Sequence, residues 1–389
     1  MTGSFPGMVL AAAVAARWAM LLALSLSASA PAATPEVRVL NNLVSELLNV
    51  RAQKLQPEAA FEFTNPREGW VWVSSAVQGK QTVALALDGE PLHTHQAAGT
   101  LESMRFLTKG GHRLTAKATQ QGSLDALMVR AIPELAYTKF GADPLVPEFG
   151  KYDWAFLKKH VLPNINVMVG GGGSEETPYV KEWKGQGKRW IAKCGVPGLS
   201  GGETITADQA EQFWSQQVGM KEPLLDGVIA DEFGGNGAAK YAAWTPALQR
   251  MGANAALKGR RFYPYYAGPP EPEPNRTFLK TVMDAGWPIA WEMYLPEPRD
   301  ENPPEAKLDK YLRQPFAARR QAMPGVENHV IVCLGTFCLP PESLDLSPRT
   351  NYRVYLERQM NLLASDPAFR GVYGVMTYLN FLLERTESP

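Results

Sequence analysis

From Pro133 onward, strand-length apolar runs alternate with helical stretches, and this alternation restricts the fold more than any other feature of the chain. The runs are LAYTKFG (135–141), NINVMVG (164–170), KRWIAKCG (188–195), DGVIADEF (226–233), RRFYPYYAG (260–268), WPIAWEMY (287–294), NHVIVCLG (328–335) and RGVYGVMTYL (370–379). Helical stretches lie between them, over 153–162, 178–184, 207–220, 238–257, 278–285, 305–323 and 352–364. Thr206 and Gln209 have the spacing of a capping box, which marks a helix start. Eight β units joined by helices over about 250 residues are what a (β/α)8 TIM barrel requires. The rival is a doubly wound sheet, which carries a glycine-rich phosphate turn after its first strand. Here the first run continues into Phe140-Gly141-Ala142-Asp143-Pro144, which is no such turn.

Upstream the rhythm is shorter. FEFT, WVWVSSAV, TVALALDG, SMRFLT, HRLTAKAT and LDALMVRAI are separated by turn signals such as Asn65-Pro66, Asp88-Gly89 and Lys109-Gly110-Gly111. Short strands at this spacing predict a small β-sandwich. The stretch from Leu40 to Val50 is readable as a strand pair or a short helix. Before that, Arg17 is the sole charge in the first 35 residues, followed by the apolar run WAMLLALSLSASA and Ala30-Pro31-Ala32. These are the parts of a secretory signal. The expected organisation is a signal peptide over 1–32, a β-sandwich accessory domain over 36–132 and a barrel catalytic domain over 133–389. The mature protein is then secreted or periplasmic, with no membrane association after cleavage.

A net formal charge of zero argues against nucleic acid as the main partner, since phosphate binding wants a basic surface. Three cysteines, Cys194, Cys333 and Cys338, leave at least one thiol unpaired, so this is no disulfide scaffold. The Cys333-x4-Cys338 spacing is not a usual zinc spacing, and the expectation is no metal and no cofactor.

In a barrel, chemistry is placed at the C-terminal strand ends. Strand four ends in Asp231 and Glu232, and strand six carries Glu292 flanked by Trp291 and Tyr294. The other strand ends supply Lys139, Glu175, Tyr265, Tyr266, Tyr378 and Asn380 as candidate substrate contacts. No histidine falls at such an end: His93, His95 and His112 lie in the β region, His160 in a helix, and His329 at the start of its strand. That weighs against a metal-dependent barrel hydrolase. A serine-hydrolase elbow and a P-loop are also missing. Carboxylates among aromatics suit glycosidic cleavage, in which one acid protonates the leaving oxygen and a second carboxylate attacks the sugar or activates water. Tyrosine and tryptophan offer flat faces with a polar edge for sugar rings.

Asp226-Gly227 with Asp231 four residues after the glycine resembles the DG-x-x-x-D stretch of (β/α)8 glycoside hydrolases, in α-amylase-like and chitinase-like versions. The pair on strands four and six is similar to that of α-galactosidase-like barrels. The resemblance implies a catalytic or supporting role for Asp231 and a catalytic role for Glu292. The chain departs from the chitinase-like pattern at Ile229 and Phe233, where acids would stand, and from the galactosidase-like pattern in having glutamate on strand six.

Neighbouring residues on a strand face opposite ways, so Asp231 and Glu232 cannot both point inward while the strand stays regular. Asp231 is expected inward and Glu232 in the loop, with Glu232 the alternative. The competing structural reading makes these acids rim carboxylates paired with Lys193 or another base. The expected function is a secreted glycoside hydrolase acting on a poly- or oligosaccharide. The alternatives are a carbohydrate-binding barrel without catalysis and a barrel polysaccharide lyase.

Overall fold

The computed structural model describes residues 36–138, 153–199, 204–234, 238–271, 273–295, 304–337 and 352–380. The expected signal segment and Lys139 lie outside this set, as do the side chains of Tyr378 and Asn380. From Val37 onward the chain forms one compact unit.

Its first part is nine antiparallel strands: β1 (Arg38–Val39), β2 (Ser45–Leu55), β3 (Glu58–Asn65), β4 (Gly69–Val77), β5 (Val83–Leu87), β6 (Glu90–His95), β7 (Gly99–Leu107), β8 (Gly110–Ala118) and β9 (Gly122–Ile132). They form a five-stranded sheet, β1-β2-β9-β4-β7, and a four-stranded sheet, β3-β8-β5-β6. Alternation explains how the sheets pack. In β4, Val71, Val73 and Val77 enter a core shared with Phe63, Leu85 and Leu114 of the other sheet. The ambiguous stretch before Val50 resolves as the start of β2, which pairs with β9 through a bulge between Glu46 and Leu48.

Eight further strands follow: β10 (Glu134–Tyr137), β11 (Val167–Gly170), β12 (Arg189–Cys194), β13 (Gly227–Phe233), β14 (Arg261–Tyr266), β15 (Ile289–Glu292), β16 (Val330–Phe337) and β17 (Gly374–Asn380). All pair in parallel, and β17 closes on β10 to make a barrel. Each of the seven connections carries helix among the described residues. The helix expected over 207–220 is two, Ala207–Ser215 and Val218–Lys221. Thr206 and Gln209 do form the reciprocal capping box.

The wall is covered on both faces, as a parallel sheet must be. Val167, Val169, Ile191, Ile229, Tyr263 and Ile331 fill the interior. Their neighbours Val228, Ala230, Phe262, Trp291 and Val332 pack outward under the helices.

The sheets and the barrel are not separate cores. Trp70 and Met104, on the face of the five-stranded sheet opposite its sandwich core, belong to the cluster that fills the barrel interior. They close its N-terminal end around Glu134, whose side chain is fully buried. A buried carboxylate is costly unless paired. Glu134 accepts from Tyr263 Oη (2.9 Å), Trp70 Nε1 (3.3 Å) and Tyr373 Oη (3.4 Å). Arg189 Nη1 lies 3.7 Å from it, and the Arg189 guanidinium stands 3.5 Å from the Phe106 ring centroid. The N-terminal end of the interior is thus closed by the five-stranded sheet.

Candidate active site

β13 brings its two acids to the opposite, C-terminal end of the barrel, its mouth, in different ways. Asp231 continues the inward face of Ile229 and is partly buried. Between Ala230 and Phe233 the pairing with β14 shifts by a bulge. Glu232 occupies the bulge at φ +79° and is exposed. A non-glycine residue at positive φ is uncommon and strained, and bulges recur where a strand end is re-aimed. The extra residue turns Phe233 outward, into the cluster beneath the helices, where its ring stacks on Phe278.

Asp226 and Gly227, the other half of the quoted motif, have structural duties at the closed end. Both Asp226 carboxylate oxygens accept from Lys184 Nζ (2.6 and 2.7 Å), and Oδ2 also accepts from the Trp190 amide at 2.8 Å. A Cβ on Gly227 would fall 2.0 Å from the Arg261 carbonyl oxygen, at φ +149°, so the close approach of β14 admits only glycine.

Glu292 ends β15 on the inward face after Ala290, and lies opposite Cys333 of β16 in register. Burial, then the negative charges of Asp231 and Glu232, raise its carboxyl pKa to about 7. The three acids therefore share one field at the barrel mouth. Tyr265 also faces inward from β14, between β13 and β15, and its hydroxyl accepts from Tyr294 Oη at 2.6 Å. Burial pushes the Tyr265 phenol well up, with Glu292 among the charges adding to it. On the other side of Asp231, Lys193 Nζ of β12 is 2.7 Å from Oδ2.

Asp231, Glu292, Tyr265 and Tyr294 are thus gathered at one end of the barrel. Tyr266 and Trp291 are not. Both are fully buried on the outer face, edge to face at 5.3 Å, and donate to Pro269 O (2.9 Å) and Gly268 O (3.0 Å). They are wall packing, contrary to the expectation that they touch substrate. Parity carried that signal, because Trp291 adjoins inward Glu292 and Tyr266 adjoins inward Tyr265. Glu175 is exposed beyond β11, whereas its neighbour Glu176 is buried. One Glu176 oxygen accepts from the Gly171 amide at 3.4 Å, the other has no partner, and burial raises its pKa.

His93 and His95 both bond Ser75 Oγ at 2.8 Å, within the sandwich. Among the described residues, no group of three or more His, Cys, Asp or Glu side chains is gathered to hold a metal. Cys194 and Cys333 are buried free thiols.

No protein-family model and no curated protein sequence matches the chain. Several solved structures that resemble it are glycoside hydrolases. One is a β-glucuronidase from Ruminococcus gnavus, at 9% identity over 83% of this chain and 81% of that one, with a TM-score of 0.41. Another is a GH2 β-galacturonidase from Eisenbergiella tayi bound to galacturonate, at 10% identity over 84% and 82%, with a TM-score of 0.38. A family 35 carbohydrate binding module from Clostridium thermocellum matches 25% of this chain with 98% of its own, at 12% identity and a TM-score of 0.18. Likeness at this level does not transmit an activity.

Proposed function

We propose that the protein is a glycoside hydrolase whose carboxylate pair is Glu292 and Asp231, with Glu232 as the alternative to Asp231. One observation carries this reading: two acids from strands β13 and β15 stand at the same end of the barrel, near enough to feel each other's charge, in unlike surroundings. Glu292 is half-buried against the wall and keeps its proton up to about pH 7, whereas Asp231 faces the Lys193 ammonium. Pairs of acids in divergent environments divide into a proton donor and an ionised partner.

In this reading the substrate's glycosidic oxygen approaches Glu292, which donates its proton as the bond to the anomeric carbon breaks. Charge developing on the ring is met from β13 by a carboxylate, which attacks that carbon or takes a proton from water. Tyr265 and Tyr294, joined by their hydroxyls, form a polar edge beside Glu292 and suit sugar hydroxyls. The resemblance to α-amylase, α-galactosidase and chitinase barrels belongs to this proposal and rests on the strand-four and strand-six motifs alone.

The rim-carboxylate reading has an observation of its own, the Lys193–Asp231 ion pair, and would leave a carbohydrate-binding barrel without turnover. A glycan panel with product analysis separates the two, using the wild type and Glu292→Gln. Hydrolysis by the wild type that Glu292→Gln lowers on the order of 10²-fold or more supports the proposal. Binding without any product, or full activity in a folded Glu292→Gln, sinks it. Unsaturated products would make the protein a lyase.

A further inference from the structure

At the closed end of the barrel, where the outer edge of the sandwich meets the segments leading into β11 and β12, lies a cavity of about 480 Å³. Its wall includes Trp72 and Arg105 from the sheets and Lys158, Leu162 and Lys188 from the barrel side. It is remote from the acids. β12 alone, six residues from Arg189 to Cys194, runs about 20 Å from this end to the mouth at roughly 3.3 Å per residue.

Lys188 is 6% exposed. Its ammonium donates to the Leu162 carbonyl at 2.6 Å and lies 4.4 Å from the Trp183 ring centroid. Among the described residues no carboxylate is within ion-pair distance of it. A buried ammonium carries three donors and asks for a counter-charge, and burial here pushes its pKa down to about 8. Arg105 adds a second cation. Its guanidinium donates to the carbonyls of Gln186 (2.7 Å), Met104 (2.8 Å) and Pro91 (3.1 Å), which are neutral acceptors. The remaining charges on the wall are Lys158, paired with Glu182 at 3.4 Å, and the exposed Glu102. His93 also lines it and is held neutral, its pKa lowered to about 4 by burial and by the charges of His95 and Arg105. Beside these cations stands the half-buried Trp72 ring, with the Arg130 guanidinium 5.6 Å from its centroid.

We propose that this cavity is a second ligand site, for a carboxylate-bearing sugar ring. Lys188 and Arg105 meet the carboxylate and Trp72 gives the ring a stacking face. The volume falls within the range of small-molecule sites, about 300–1,000 Å³, and holds one or two sugar residues. The site is independent of the mouth: it needs no cleavage and is occupied while the acids work on another part of the same glycan or on none.

The test is titration calorimetry of the full chain with sodium D-glucuronate, D-glucose and sodium acetate. Glucuronate is expected to bind at one site per chain, at least about tenfold more tightly than glucose or acetate, because the carboxylate and the ring each contribute. Lys188→Met and Trp72→Ala should each weaken it by about tenfold or more. Trp72 supplies a second variant should Lys188→Met disturb the fold, which circular dichroism reports. Glu292→Gln, at the far end, should leave glucuronate binding within about twofold. The proposal is overturned if glucuronate does not bind at about 10 mM, or if glucose binds as well. Loss of binding in Glu292→Gln but not in Lys188→Met would overturn it too, by placing the sugar acid in the mouth. The glycosidase reading is judged separately, by turnover in Glu292→Gln.

Discussion

Lys193 Nζ and Asp231 Oδ2 face each other at 2.7 Å across the junction of β12 and β13, with 42% and 25% of their side chains exposed. A pair this open to water contributes about 0–1 kcal/mol to stability. If its purpose were to hold the rim, the gain would be small. In the proposed site, the same ammonium would fix the direction of the reacting carboxylate.

Lys193→Met therefore separates the two roles. Thermal melting should show a stability within about 1 kcal/mol of wild type. Activity on the substrate found by screening should fall by about tenfold or more if Asp231 is the partner of Glu292. A variant that melts earlier but turns over normally would assign the pair to rim structure.

Among the β13 acids, the geometry ranks Asp231 above Glu232. Asp231→Asn should cost on the order of 10²-fold or more in kcat. Glu232→Gln should cost less, because that side chain leaves the strand at the bulge. Glu232→Gly gives a further reading. It relieves the positive φ, so it should leave stability equal or higher. If Glu232→Gln is the crippled variant and Asp231→Asn is not, the two exchange roles.

The order of these elements could be read from the chain, since each barrel strand is a run apolar enough to be covered on both faces. The strands left ambiguous or unread are those that break the simple pattern. β2 has a bulge between Glu46 and Leu48 that puts Leu47 and Leu48 both in the core, so its alternation fails. β6, EPLHTH, is a polar edge strand with an internal proline, which reads as loop. The helix expected over 305–323 is interrupted by a π turn at Asp309–Arg313, and such turns leave no mark in hydrophobic periodicity. At the candidate site, strand position placed Asp231, Glu292, Tyr265 and Tyr294 at one end of the barrel, while residue type alone drew in Tyr266 and Trp291, which pack on its outer face. Glu134 was missed because its partners, Trp70, Arg189, Tyr263 and Tyr373, come from four separate places in the chain.

That network yields a stability prediction. Glu134→Ala would leave the Arg189 guanidinium without the buried carboxylate beside it, at a cost of about 3–5 kcal/mol. Trp70→Ala should cost a similar amount, about 3–5 kcal/mol, by opening a cavity. Because Trp70 belongs to the barrel's interior cluster, both variants should shift one common transition. Denaturant unfolding followed by tryptophan fluorescence and by far-ultraviolet circular dichroism should give coincident curves. Two resolved transitions, with only the first moved by Trp70→Ala, would show that the sheets unfold apart from the barrel.

The two described cysteines should be inert in the folded protein. Burial, then the charge of Asp231, pushes the Cys194 thiol up to about 12. Burial first, and Glu292 after it, raises the Cys333 thiol well above its ordinary value. The thiolate is the reactive form, so brief alkylation of native protein followed by peptide mapping should leave both unmodified, and denaturation should expose them. Rapid native labelling of Cys333 would mean that the wall behind Glu292 is open to water, against the burial to which its raised pKa is ascribed.

That raised pKa also makes the fold and the reaction depend on pH in defined directions. The ordinary carboxyl value is 4.5, and in the fold Glu292 ionises at about 7. Below the first value both folded and unfolded chains hold the proton, and this group's contribution to stability is complete. Between the two, the unfolded chain gives up its proton while the fold retains it, so stability falls as pH rises and levels off above about 7. Glu176 is shifted the same way by burial, so total stability does not isolate Glu292, but the difference between wild type and Glu292→Gln does. Urea midpoints across pH 4 to 8 should show the variant gaining on wild type through that window. In kinetics, a proton donor of this affinity gives a kcat/KM that declines on the basic side with an apparent pKa near 7. Glu292→Gln should be slow and should lose that limb. A wild-type profile flat from pH 5 to 9, or a basic limb that survives in a folded Glu292→Gln, would remove Glu292 from the donor's role.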